Sequence, residues 1–100
     1  GSENSVGIED PRLLPARPMI GSIYPNPFST EATLQLTLPP QGVRVALYDF
    51  LGRAIRLLYE GHSTESMIVA IDGTSLPAGV YVVRVDSEAS VETRLLVRRP

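Results

Sequence analysis

The sequence predicts an all-β domain of about seven short antiparallel strands, and three observations carry that prediction. From Met19 onward, apolar residues recur at every second position in short runs. No run keeps the 3.6-residue period long enough for a helix, and the runs are separated by Pro, Gly, Asp and Ser at the spacing of tight turns.

Residues 1–18 precede this pattern. They carry Pro11, Pro15 and Pro18 among charges with no sustained periodicity, which reads as a linker, and Gly1-Ser2 reads as the scar of a cleaved tag. The folded domain is expected over residues 19–100, with strands near 19–24, 32–38, 43–49, 54–60, 66–72, 79–86 and 91–98.

The first strand must end at "YPNPF", residues 24–28, because Pro25 and Pro27 fix their own φ and bias Tyr24 and Asn26 towards extended backbone. A stiff strut without hydrogen bonds is expected over residues 24–27, with Phe28 planted in the mouth of the core and the Asn26 side chain satisfying nearby backbone groups. In the second strand Leu34, Leu36 and Leu38 face one way and Thr33, Gln35 and Thr37 the other, the alternation of a sheet wetted on one side. Pro39-Pro40-Gln41-Gly42 then predicts a tight hairpin into the third strand, whose Val43, Val45 and Leu47 point inward.

Asp49-Phe50-Leu51-Gly52 predicts a type I turn closed by a left-handed Gly52. Inward positions are expected at Ile55, Leu57 and Tyr59, then at Met67, Val69 and Ile71. Asp72-Gly73 ends that strand. Tyr81, entering the next one just after Leu76-Pro77-Ala78-Gly79, suggests a tyrosine corner, in which the phenol bonds a backbone group slightly upstream. Tyr81, Val83 and Val85 point inward, residues 86–90 reverse the chain, and Val91, Thr93, Leu95 and Val97 are expected to complete the inner face. Strands and turns at this spacing point to an immunoglobulin-like β-sandwich.

Composition removes several functional classes. Nine basic residues, all arginine, are spread among eleven carboxylates for a net charge of −2, which offers no nucleic-acid footprint. Without cysteine there is no disulfide framework, thiolate nucleophile or cysteine-based zinc site. His62 lies in a polar turn with no second histidine to share a metal or activate a serine. Asp49, Asp72 and Asp86 stand at strand ends, where turn initiation explains all three better than calcium does. No catalytic residue, cofactor or metal is expected.

"SVETRLLVRRP", residues 90–100, brackets Leu95, Leu96 and Val97 with Arg94, Arg98 and Arg99. It reads either as an edge strand guarded by charge or as a strand offered to a partner by β-addition, its arginines steering an acidic receptor. Exposed edges also leave room for pairing between copies.

Taken in order, "YPNPF" (Tyr24, Pro25, Asn26, Pro27, Phe28), "YDFLGR" with Asp49, Gly52 and Arg53, "DGTSLPAGVYVVR" with Asp72, Gly73, Leu76, Pro77, Gly79, Tyr81 and Arg84, and "TRLLVRR" resemble the type A C-terminal sorting domains of the type IX secretion system of Bacteroidota-like bacteria. The resemblance implies an immunoglobulin-like domain joined to a secreted N-terminal cargo. It would pass through the periplasm and be recognised by an outer-membrane translocon, which reads Arg94, Leu95, Leu96, Val97, Arg98 and Arg99. A sortase-like protease would then remove it by cutting in the linker, leaving the cargo at the cell surface or outside the cell. Arginine stands here where that family usually has lysine. A non-catalytic accessory module is the alternative: a fibronectin-like spacer, a carbohydrate binder or a flagellar hook-capping domain. The absence of tryptophan weighs against sugar binding.

Overall fold

Among the described residues seven strands form, each ending where its turn residues require. The structure, a computed structural model, describes residues 19–100. The expected linker, residues 1–18, lies outside the described residues. The strands are β1 (Ile20–Tyr24), β2 (Glu31–Thr37), β3 (Gly42–Asp49), β4 (Ala54–His62), β5 (Ser66–Asp72), β6 (Gly79–Ser87) and β7 (Val91–Arg98). They build a three-stranded sheet in the order β1-β2-β5 and a four-stranded sheet in the order β4-β3-β6-β7, with every strand pair antiparallel.

The inner faces meet in one core. Ile20, Leu34, Leu36 and Ile71 come from the first sheet and Val45, Leu47, Val83, Val85 and Leu96 from the second, while Phe28 is inserted from the β1–β2 connection. Burying each of these side chains contributes about 1.5–3 kcal/mol of hydrophobic free energy.

Four expectations about detail are corrected. Residues 38–41 do not make a hairpin: β2 and β3 lie in different sheets, so this segment is a crossover. It runs beside the second crossover, residues 63–65, through bonds from Leu38 N–H to Glu65 O (3.0 Å) and from Ser63 N–H to Gln41 O (2.8 Å). The buried Ser63 hydroxyl donates to Pro39 O (2.9 Å) and accepts from Gln41 N–H (3.1 Å). Alternation and turn chemistry look the same for a hairpin and a crossover, and only the packing of Leu36 and Leu38 against the facing sheet separates the two.

Ile55 and Leu57 point outward. The register of β3 against β4 slips between Val45/Ala46 and between Leu47/Tyr48, so Tyr59 sits opposite Val45 but Leu57 opposite Ala46 and Arg56 opposite Leu47. An extra residue in one strand exchanges its faces. In β7 the inner residue is Leu96, fully buried, while Val91 and Leu95 are more than half exposed. The pairing of Tyr81 with Leu96 decides this, because it puts Leu96 on the face shared by Tyr81, Val83 and Val85. Thr93 and Val97 follow Leu95 to the other side.

Finally, the strut of residues 24–27 is not free of hydrogen bonds at its start, because Tyr24 pairs with Thr33 in the ladder, and Phe28 beyond it is bonded to the end of the chain. Phe28 N–H donates to Val97 O and Arg99 N–H to Phe28 O, both at 2.8 Å, as a short parallel bridge. The placement of Phe28, 1% exposed, agrees with the sequence reading.

Candidate functional site

Antiparallel pairing brings most of the motif residues to one end of the sandwich. The C-terminal ends of β1, β3, β5 and β7 meet there with the N-terminal ends of β2, β4 and β6, as the partners Asp49↔Tyr81, Glu31↔Asp72 and Gly79↔Arg98 require.

Phe28 is the centre of that end. Gly73 lies against its ring so closely that a Cβ there would fall on the ring carbons, within 2.9 Å of Cζ, and at 3.0 Å from Arg98 Nε. Arg98 donates from Nε to Gly73 O (2.8 Å) and carries its guanidinium over the Phe28 ring, 6.0 Å from the centroid. Asn26 completes the arrangement. Its Nδ2 donates to Leu95 O (2.9 Å) and its Oδ1 accepts from Val97 N–H (3.0 Å), as a neighbouring strand would. The outward backbone of β7 from Leu95 to Arg99 is thereby engaged by residues 26–28. β-Addition of a partner along that stretch would have to displace them.

The neighbouring turns are built by their own side chains. Asp49 Oδ1 accepts from the N–H groups of Leu51 and Arg53, both at 2.9 Å, and Oδ2 takes Arg53 Nε at 2.7 Å. Gly52 has φ +88°, as the sequence requires. The bond from the Arg53 N–H, reinforced by the Arg53 guanidinium, holds the Asp49 carboxyl below its ordinary value against the opposing cost of desolvation. Asp72 is lowered in the same way by the N–H and hydroxyl of Thr74. Tyr81 donates its hydroxyl to Pro77 O, the corner expected from the sequence. Leu76 is buried in the core, while Pro77 and Gly79 are exposed.

Two of the expected residues stand apart. Arg94 lies farther along β7, where it donates to Ile20 O and to Glu92 (3.2 Å each). Arg84 points to the outer face and pairs with Asp86 at 3.1 Å, which raises its pKa. Within the terminal motif the side chains divide by alternation. Leu96 belongs to the core, Arg94, Val97 and Arg98 are half-buried, and Leu95 (61% exposed) and Arg99 are offered to solvent.

The turn Phe50-Leu51 was missed as a surface feature. Both side chains are about three-quarters exposed at the tip of the β3–β4 hairpin. The signal was present, since the two central residues of a type I turn cannot reach the core, and here both are large and apolar. The outer face of the four-stranded sheet extends this surface through Ile55, Leu57, Val80 and Leu95. Among the described residues no group of three or more His, Cys, Asp or Glu is placed to hold a metal ion.

Comparison with known families gives a match to the secretion system C-terminal sorting domain over residues 22–98. A search of curated proteins finds none that matches the chain.

Proposed function

The chain belongs to the family of secretion system C-terminal sorting domains, and from that premise we propose that type IX export machinery recognises it as a folded unit, through the exposed side chains at its motif end. Membership makes the domain a sorting signal of the type IX system, directing export across the envelope to the cell surface or the extracellular space; the accessory-module alternative is not favoured. The observation that carries the proposal is the division of "LLVRR". Leu96 and Arg98 are spent on holding the end together, and Leu95 and Arg99 remain free to be read with Phe50 and Leu51.

In this reading the domain travels through the periplasm attached to a cargo in the same precursor, and an outer-membrane translocon docks on the motif end. A sortase-like protease then separates cargo from signal by cutting within residues 3–18. The domain contributes no reacting group. Its work is to keep a binding surface in fixed geometry, which the clip of Asn26 and Phe28 on β7 does.

The test uses the chain fused to a periplasmic reporter in a bacterium that has the type IX machinery. The parent fusion is expected at the cell surface. A Leu95→Ser, Arg99→Glu variant is expected to stay in the periplasm while keeping its circular dichroism spectrum and denaturation midpoint. Surface delivery of both in equal amount would remove the role assigned to these side chains. Deleting residues 94–100 discriminates less well, because it also takes Leu96 from the core.

A further inference from the structure

Among the described residues the two sheets have four edges, and three of them are closed or irregular. β1 is bound by side chains of β7: Glu92 accepts from the N–H groups of Met19 (2.6 Å) and Ile20 (3.1 Å), and Arg94 donates to Ile20 O. β7 is clipped by Asn26 and Phe28. β4 carries two register slips, with Arg56 and Glu60 along it. These are the ordinary devices that keep an edge from pairing with other chains.

Between its two ends β5 has none of them. It pairs with β2 in unbroken register from Ser66 to Asp72, and residues 66–71, "SMIVAI", contain no charge, proline or glycine. The direction of its backbone groups follows from β2. Thr37 donates its N–H to Met19 O on the β1 side, so alternation turns Ala32, Leu34 and Leu36 towards β5, where their partners are Ile71, Val69 and Met67. Ser66, Ile68, Ala70 and Asp72 therefore direct their N–H and C=O groups away from the sheet. At the two ends these are engaged: Arg56 donates to Asp72 O (2.6 Å) and Thr64 to Ser66 O (3.3 Å). Among the described residues nothing bonds the outward groups of Ile68 and Ala70, and the Ile68 side chain is 68% exposed.

We propose that β5 is a self-association edge, on which a second copy of this chain adds its own β5 antiparallel to form a continuous six-stranded sheet across a two-fold axis at Val69. In that register Ile68 and the second copy's Ala70 exchange N–H and C=O bonds, and the two-fold repeats the exchange. Each Ile68 side chain lies beside the other copy's Ala70. The occupant is argued from the strand itself. An uncharged, unbroken edge meets its own image with no like charges opposed, and Asp72 falls opposite Ser66. Arg56, held at Asp72 O, comes alongside the exposed Glu65 of the other copy, which adds charge complementarity at both ends. The contact is narrow, which makes the dimer a weak one, with Kd in the range of about 10 µM to 1 mM.

This inference does not rest on the export reading. Sedimentation velocity of the chain across a concentration series is expected to show a reversible monomer–dimer equilibrium. Ala70→Pro removes an outward N–H from each copy, a position where an edge strand tolerates proline, and is expected to weaken the dimer about tenfold or more. Ile68→Lys acts through the exposed side chain and is expected to do the same. The denaturation midpoint of each variant shows that it remains folded. A chain that stays monomeric throughout overturns the proposal, as does a dimer indifferent to both substitutions. So does a monomer whose Ile68 and Ala70 amides resist hydrogen exchange, because the edge would then be covered without a second copy.

Discussion

The carboxamide of Asn26 pairs with the backbone on both sides of Leu96, accepting from Val97 N–H at 3.0 Å while donating to Leu95 O at 2.9 Å. One side chain thus does what a strand would do at this position, and the parallel bridge of Phe28 continues it. Asn26→Ala removes both bonds and is expected to cost about 1–2 kcal/mol, at 0.5–1.5 kcal/mol per bond with solvent partly replacing them. Native-state hydrogen exchange gives the sharper readout. The Val97 amide should lose protection in the variant while amides within the β3–β6 ladder lose only what the global change demands.

Gly73 is needed for lack of a side chain. A Cβ at this position would meet both the Phe28 ring and Arg98 Nε, so Gly73→Ala is expected to destabilise by about 1–3 kcal/mol, the usual cost of overpacking. Phe28→Leu alone should also destabilise. Combined with Gly73→Ala it should cost less than the sum of the two, and strictly additive denaturation midpoints would show that the ring is not what the new methyl strikes.

The Tyr81 hydroxyl donates to Pro77 O at a site where the ring itself is 6% exposed. Tyr81→Phe keeps the ring and deletes the bond, leaving a carbonyl short of a donor. A loss of about 1 kcal/mol is expected, seen as a lower urea midpoint at unchanged slope. A change of slope would instead mean that the corner governs the compactness of the chain.

Stability should fall in acid partly through the turns. The folded-state pKa values of Asp49 and Asp72 lie below their ordinary value of 3.8, so the unfolded chain binds more protons as the pH drops. Their contribution is present in full above that value and is lost as the pH falls through the lowered pKa. Asp49→Asn should therefore be less stable than the parent at neutral pH and lose less on acidification. Denaturation midpoints measured between about pH 2 and 6 check this, and parallel acid limbs for parent and variant would count against it.

Read by itself, the sequence determined the strand content, the boundaries to within one or two residues, the turn at Asp49–Gly52 and the corner at Tyr81. All of these depend on near neighbours: alternation with period two, a residue able to take positive φ, and a phenol four residues from its acceptor. It also contained the motifs that carry the resemblance to sorting domains. Tertiary structure alone decided which connections cross between the sheets and which face of β4 and of β7 turns inward. Leu95 and Leu96 are interchangeable to a period-two pattern, and only pairing with Tyr81 chose Leu96 for the core and left Leu95 in solvent. The same holds for Asn26. Its capacity to bond backbone is written in its side chain, but its partners at Leu95 and Val97 are about seventy residues away, and folding must close that distance before the bond has any meaning.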